Sequence, residues 1–234
     1  MVDEFNTLQD KIDRNKINTQ ILMNLRSLVE RNLGFTIILS RLKSIRASAE
    51  EYWSAFFGIG PTFTVGPLVR EYAIALITKP DAVARNYRYM QDALETLLTQ
   101  TNGQPFLIQG VSRLIFDKAI GKSDSVNLSM VQDAIDKNIA QTNFFTTVYE
   151  HAITWRRKLL LVLIRRFENG PDPINAAFLA YQLQAAGIDV EESSRELRDD
   201  LDELQKLELI SVVSKVPVNI YRLNPPMFST WIDR

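Results

Sequence analysis

The chain has 234 residues, 46% of them hydrophobic, which is enough to bury a core in one large domain or two to three small ones. Its 27 Lys and Arg residues nearly balance 28 Asp and Glu residues, so the net charge of -1 gives no overall field that would attract nucleic acid or an anionic membrane. No cysteine and one histidine, His151, are present, which excludes disulfides, thiolate metal sites, cysteine nucleophiles and paired-histidine zinc sites within these residues.

The hydropathy pattern predicts neither a membrane span nor a secretion signal. The longest unbroken apolar run is residues 159–164, whereas a membrane-spanning helix needs about 20 such residues. Met1 is followed by acidic residues instead of a basic and then apolar leader. We therefore expect a cytoplasmic protein, and the lack of cysteine fits a reducing compartment.

The first 80 residues predict a partial α/β layer. Apolar spacing favours two helices, around 8–12 and 21–29, with a break near 15–18. Residues 35–39, FTIIL, form a continuous apolar run that predicts a strand buried on both faces. A helix over 42–57, a short strand over 62–65 and a helix ending before Pro80 complete this layer.

The remaining residues predict two further units. Helices over 81–100 and 105–119, and one that begins with Asn127 as its N-cap, make residues 81–150 an all-helical unit without strands. After that we predict three helices. The first spans 152–167, the second begins after an Asp172 cap with Pro173 as its first residue, and the third spans 189–207. Strands over 210–213 and 219–223 follow, which is the order of a winged helix-turn-helix. The predicted fold class is mainly α with a partial α/β layer.

Four short strings carry candidate functional residues, and each also has an ordinary structural interpretation. Gly121-Lys122-Ser123 ends like a phosphate-binding loop, but Phe116 stands where the first glycine belongs, so we interpret it as a loop between helices. Asp3-Glu4 is either an acidic terminus or the acidic end of a buried strand that holds Mg²⁺.

Ser40-Arg41 follows the predicted strand 35–39, at the edge where open α/β sheets bind ligands, although a simple helix cap would look the same. Gly103 and Pro105 lie in TNGQPFLIQ, which also fits a helix end followed by an N1 proline.

Taken together, these strings resemble a known family. TNGQPFLIQ resembles the T-G-G-x-P-[YF]-L-[LI]-Q signature, with its GxP motif, of the STAND branch of AAA+-like P-loop ATPases. DEF resembles the Walker B end of a sheet strand, FTIILSR the following sensor strand, and YWSAFFGIGPTFTVGPLVREYAIALITKP the segment that leads into the helical lid. The tail YRLNPPMFSTWIDR is similar to the end of the family's winged-helix domain. The resemblance covers almost the whole chain.

This resemblance implies a cofactor, domains and site residues. ATP or ADP with Mg²⁺ would be the cofactor, with Asp3 as the Mg²⁺ partner and Glu4 as the base that positions water. Ser40 or Arg41 would be the sensor, and Gly103 and Pro105 would help to form the wall around the adenine. The implied domains are 1–80 as a partial ATPase core, 81–150 as the helical lid and 151–234 as the winged helix-turn-helix. The implied role is nucleotide-dependent conformational switching in signalling or defence.

The chain departs from the family at one important place, because it contains no GxxxxGK[ST] string. A buried strand at 35–39 would then lack backbone partners, so we expect the chain to be a portion of a longer ATPase or a remnant that needs a partner. Candidate partners are the missing N-terminal ATPase half, a protein effector or further copies in a homo-oligomer. We expect no ATP hydrolysis by this chain alone. The alternative is a non-catalytic interaction or regulatory winged-helix module.

Charge disfavours DNA binding by that module. Residues 189–208 contain nine acidic residues against three basic ones, and the phosphate backbone would repel such a helix. A basic cluster precedes it: Arg156, Arg157, Lys158, Arg165 and Arg166. These cations are interpreted either as a solvated face that forms salt bridges to the acidic helix or as a docking surface for the ATPase core or a partner. His151 we interpret as structural.

Overall fold

The computed structural model describes residues 7, 8, 11, 12, 14–31, 38, 63, 65–79, 88–119, 125–151, 154–191, 194–215 and 218–234. The chain divides into two compact units, Met1–Val65 and Gly66–Arg234. The domain boundaries expected near residues 80 and 150 stay predictions.

The described part of the first unit is mostly helical. Helix α1, Gln20–Arg31, follows short helical pieces at 7–8 and 11–12. Asn15 has a left-handed backbone, with φ of 55°, and the Asn18 side chain accepts the Gln20 N–H at 2.8 Å, which produces the break expected between the two helices.

The strands predicted in this unit are not found at residues 38, 63 and 65, which are the described residues within them. Ile38 is 61% exposed and lies outside regular structure, which differs from the expected strand buried on both faces. Phe63 and Val65 are likewise exposed and irregular, although a strand was predicted over 62–65. A buried strand needs hydrogen-bonded neighbours on both sides, and the described residues contain only two two-stranded sheets, both elsewhere in the sequence. The rest of both predicted strands, and the helix predicted over 42–57, lie outside the described residues.

The second unit begins with a helical bundle. Its helices are α2, Arg70–Thr78; α3, Gln91–Thr101; α4, Pro105–Ala119; α5, Leu128–Gln141; and α6, Phe144–His151. Helix α4 packs on α2, α3 and α5, and its buried stripe repeats every three to four residues, as an amphipathic helix requires: Leu107, Ile108, Val111, Ile115 and Ala119. The Asn127 side chain accepts the Met130 N–H at 3.0 Å, so the predicted cap of α5 is confirmed.

The expectation that no strand interrupts this bundle was wrong. Strands β1, Arg88–Tyr89, and β2, Ser125–Val126, form a parallel pair. Strand β1 lies within the helix predicted over 81–100, so that helix begins only at Gln91. The pair brings fully buried Val126 beneath the chain entering α3, where the Met90 N–H donates to the Val126 carbonyl at 2.9 Å. Two residues are too few to show the alternating pattern by which strands are predicted.

The second unit continues as three helices and a hairpin, in the order predicted for a winged helix. These are α7, Trp155–Phe167; α8, Ala176–Ala185; α9, Arg195–Lys206; and the antiparallel strands β3, Ile210–Ser214, and β4, Ile220–Leu223. Ser194 caps α9, and Leu197, Leu201 and Leu204 bury its apolar face.

The three helix starts predicted for the winged helix were wrong. Helix α9, expected from residue 189, begins at Arg195 because Ser194 is its N-cap, and residues 189–191 lie outside the helix. Helix α7, expected from residue 152, begins at Trp155, and the side chain of its N-cap Thr154 accepts the Arg157 N–H at 3.5 Å. Helix α8 is capped by Asn175, which accepts the Phe178 N–H at 2.8 Å, and not by Asp172. The reason is that buried Ile174 offers its carbonyl to the Tyr221 N–H of β4 at 2.8 Å, and a helix that began at Pro173 would take this carbonyl away from the strand.

A last helix, α10, connects the bundle to the winged helix. It spans Pro226–Ile232 and packs on α3, α5, α7 and β4. Fully buried Phe228 lies 5.4 Å from the ring of Phe145 in α6 and 5.6 Å from that of Trp231. One continuous hydrophobic core therefore runs through the bundle and the winged helix.

The described fold is mainly helical and includes the antiparallel hairpin of a winged helix, as the sequence predicted, and it adds one short parallel pair. None of its described helices is long and apolar enough to cross a membrane.

Candidate functional site

The loop between α3 and α4 contains the two candidate residues that the structure describes, Gly103 and Pro105. Asn102 ends α3 in a left-handed conformation, Gly103 continues it with φ of 74°, and Pro105 is the first residue of α4. Proline suits this position because the first helical residue has no N–H bond to lose. The local fold is therefore the helix end and proline start that the sequence indicates.

Gly103 is required by close backbone packing. The Leu68 N–H donates to the Gly103 carbonyl at 2.8 Å, so the segment that enters α2 crosses directly over the loop. A β-carbon built on residue 103 would lie well inside van der Waals contact of the Leu68 carbonyl oxygen. Both this contact and the positive φ exclude a larger side chain without a shift of the backbone.

The same loop is hydrogen-bonded to the winged helix. The Asn102 side-chain amide donates to Asn224 Oδ1 at 2.7 Å, and Asn224 Nδ2 donates to the Glu208 main-chain carbonyl at 3.0 Å. The Gln104 side-chain amide donates to Glu208 Oε2. Two residues at the ends of α9 and β4 thus contact a loop more than 100 residues earlier in the chain.

Glu208 has the most unusual environment in this group. Its backbone is left-handed, with φ of 58°, and its side chain is partly buried. Burial raises the pKa of the Glu208 carboxyl, and the hydrogen bond from Gln104 offsets part of that increase. Sequence reasoning missed Glu208 and Asn224, because nothing local distinguishes a glutamate after a helix or an asparagine before two prolines.

The other four candidate residues, Asp3, Glu4, Ser40 and Arg41, lie outside the described residues. Their assignment to Mg²⁺, water and phosphate stays a prediction. Within the described part of the chain, no three His, Cys, Asp or Glu residues come together as a possible metal site.

The basic cluster on α7 is paired internally with the acidic helix α9. Arg157 Nε donates to Asp200 Oδ1 at 2.8 Å, and Arg156 donates to Asp200 Oδ2 and, at 2.6 Å, to Glu196. The Asp200 side chain is only 5% exposed, so these bonds satisfy a carboxylate that burial would otherwise penalise. The hydrogen bond that Arg156 donates to Asp200 raises the pKa of Arg156 above its usual value.

The other three cations of the cluster also have partners. Arg165 donates to Glu168 at 2.7 Å and to Asp233 of the C-terminal tail at 2.9 Å. Lys158 lies 5.1 Å from the centre of the Tyr149 ring, and Arg166 lies 5.5 Å from that of Phe167. The salt-bridge interpretation is therefore confirmed for Arg156 and Arg157, and Arg165 pairs with acids outside α9.

The outer face of α9 remains acidic in the structure. Glu196 and Asp199 are 70% and 62% exposed at their side chains, and Asp199 forms a 3.6 Å ion pair with Arg195. In a winged helix this helix would face the major groove, and its exposed carboxylates would repel the phosphates.

No protein-family model matches the chain, and a search of curated proteins gave no match either. Among solved structures, the chain is similar to a variant of RuvB from Thermotoga maritima, with 15% sequence identity and a TM-score of 0.42. The alignment covers 88% of this chain and 63% of that one, so the chain spans less than two thirds of the length of its structural relative. This is a distant structural similarity to an AAA+ ATPase.

Proposed function

We propose that the chain is a portion of an ATP-binding molecular switch of the STAND or AAA+-like class, which changes conformation with bound nucleotide in signalling or defence. The observation that carries the proposal is the structure of the string TNGQPFLIQ. Gly103 lies in the loop between α3 and α4, and Pro105 is the first residue of α4. Hydrogen bonds from Asn102 and Gln104 connect this loop to the winged helix. A switch needs such a connection between the site that senses and the element that moves.

The two candidate residues, Gly103 and Pro105, have different roles in the proposed nucleotide site. Gly103 is buried against Leu68, so it supports the loop from within. Pro105 is only partly buried, and its ring offers apolar surface on which an adenine can pack. In this proposal Pro105 contacts the base, and Gly103 allows the close crossing that fixes the position of Pro105.

The remaining roles come from the family resemblance alone. ATP or ADP with Mg²⁺ would be the cofactor, Asp3 would bind the metal and Glu4 would position water. Ser40 or Arg41 would act as sensor. Magnesium bound in this way would neutralise the phosphate charge that develops during hydrolysis. A protein partner, either an ATPase half that carries the phosphate-binding loop, an effector or further copies of the chain, would complete the site for hydrolysis.

Photo-crosslinking tests the nucleotide proposal without requiring turnover. The chain is irradiated with 8-azido-ATP and Mg²⁺, with and without excess ADP, and the labelled peptides are identified. We expect labelling within residues 66–69 or 102–109 that ADP suppresses, and weaker labelling of the Pro105→Ala variant. Pro226→Ala, which changes the proline at the start of α10, is the matched control. Labelling that ADP does not suppress, or that lies elsewhere, would contradict the proposal.

The second candidate function is a non-catalytic interaction or regulatory winged-helix module. The acidic outer face of α9 and the internal pairing of the α7 cations favour a protein partner over DNA. A mobility-shift assay with duplex DNA at low salt separates the two kinds of partner. We expect no shift, and a salt-sensitive shift would restore the nucleic-acid alternative.

A further inference from the structure

Glu208 lies at a backbone position that favours glycine. Its N–H donates to the Gln205 carbonyl at 2.9 Å, and the next N–H, of Leu209, donates to the Leu204 carbonyl at 3.0 Å. These two bonds define a Schellman helix end, in which the residue at the position of Glu208 is left-handed and is most often glycine. The backbone alone therefore gives no reason for a glutamate here.

The side chain of Glu208 supplies that reason. Its carboxylate accepts the Gln104 amide, and Gly66 lies behind it, with a β-carbon built on Gly66 3.4 Å from Glu208 Oε1. The carboxylate is thus held between the α3–α4 loop and the segment that crosses this loop.

Asn224 completes the connection from the hairpin side. Only 7% of Asn224 is exposed, and its side chain donates to the Glu208 carbonyl and accepts from Asn102. Its own N–H donates to the Leu209 carbonyl at 2.9 Å. One buried amide therefore joins the end of α9, the end of β4 and the α3–α4 loop.

We propose that Glu208 and Asn224 form a polar latch that holds residues 102–104 on the winged helix and controls how readily this loop is released. Directional hydrogen bonds are lost over a small displacement, so the loop leaves the winged helix only when these bonds break. The use of the latch in nucleotide switching rests on the proposed function, but the latch itself does not.

Hydrogen–deuterium exchange of the nucleotide-free chain tests the latch. The reporters are the amides of Leu68 and Gln104, which donate to the Gly103 and Thr101 carbonyls of the loop. In Glu208→Ala and in Asn102→Gly we expect both amides to exchange roughly tenfold faster, because one hydrogen bond is lost in each. Asn102→Gly keeps the left-handed backbone and removes only the side chain, so it tests the latch even where Glu208→Ala folds poorly.

Two further variants make the test specific. Glu208→Gln keeps an acceptor for Gln104 and is expected to retain the wild-type exchange rate. Glu203→Ala removes a carboxylate from the same helix that pairs with Lys206 at 2.7 Å, and is expected to leave the loop unchanged. Unchanged exchange at Leu68 and Gln104 in the folded Asn102→Gly variant would overturn the latch. Faster exchange that extends equally through the β3–β4 hairpin would also overturn it, since this would be general destabilisation.

Repeating the measurement with ATP and Mg²⁺ separates the latch from the proposed function. If nucleotide changes exchange at residues 207–209 of the wild type, the latch variants should lose this distant response while residues 102–109 still respond. If nucleotide changes nothing in the wild type, the proposed function fails, and the nucleotide-free comparison still decides the latch.

Discussion

The carbonyl oxygen of Leu68 occupies the space that a β-carbon on Gly103 would need. We therefore expect Gly103→Ala to destabilise the chain by about 2–4 kcal/mol, from the positive φ and from displacement of the Leu68 backbone. Gly187→Ala is the matched control, because Gly187 has nearly the same φ, 82° against 74°, but no atom of the described residues lies within 4 Å of its built β-carbon. This variant should lose only about 1 kcal/mol in urea unfolding. Equal losses would show that the Leu68 crossing contributes nothing.

The buried carboxylate of Asp200 gives a second prediction. Asp200→Asn removes the negative charge that Arg156 and Arg157 share, and leaves two cations, each about one quarter exposed or less, against a neutral amide. We expect a loss of about 2–4 kcal/mol in the free energy of unfolding. Asp199, the adjacent acid, has a side chain that is 62% exposed and pairs with the 91% exposed Arg195. Asp199→Asn should therefore change the free energy of unfolding by no more than about 0.5 kcal/mol. Similar effects of the two substitutions would contradict the internal role of the cluster.

Much of the fold could be predicted from the sequence wherever a periodic stripe coincides with a cap. Pro105 and Ala119 bound α4 as expected, and Asn127 caps α5, because these signals act within a few residues. Asp172 was a plausible cap for α8, but the bond between Ile174 and Tyr221 decided otherwise. That bond joins residues far apart in sequence, and local propensity contains no information about it.

The candidate site divides in the same way. Gly103 and Pro105 could be found from the sequence because their string resembles a signature. Glu208 and Asn224 could not, since their partners Gln104 and Asn102 lie 104 and 122 residues away. Glu208 was counted only as one more acid near a repelling helix, yet its carboxylate turns inward to the loop. The direction of the Glu208 side chain depends on the left-handed backbone at the end of α9. Glycine is the usual sequence sign of such a backbone, and this position has no glycine.

The raised pKa of Glu208 predicts a pH dependence with a definite sign. Burial makes the charged carboxyl less favourable in the folded chain, so its contribution to stability is fully present below the ordinary pKa of 4.5 and is lost as the pH rises through the folded pKa. The free energy of unfolding of the wild type should therefore fall relative to Glu208→Gln between pH 4 and pH 7. Taking the difference between the two proteins removes the titration of all other groups. A difference that rises with pH would show that the Gln104 bond, which lowers this pKa, is the stronger effect.

The crossing of α4 and α5 supports a fourth prediction, on the pair Gly110 and Asn138. A β-carbon on Gly110 would overlap the side-chain amide of Asn138, which is only 8% exposed. Among the described residues, Asn138 Oδ1 has no hydrogen-bond partner. Gly110→Ala alone should cost about 1–2 kcal/mol, because the buried amide has little room to move.

In an Asn138→Ala background the same substitution should be neutral or stabilise by up to about 1 kcal/mol, since alanine is the better helix former and the overlap is gone. A double-mutant cycle in urea should then give a coupling of about 1–3 kcal/mol between the two positions. A coupling near zero would mean that α4 and α5 separate to accept the β-carbon. The crossing would then be loose, and Gly110 would not restrict the position of the Asn138 side chain.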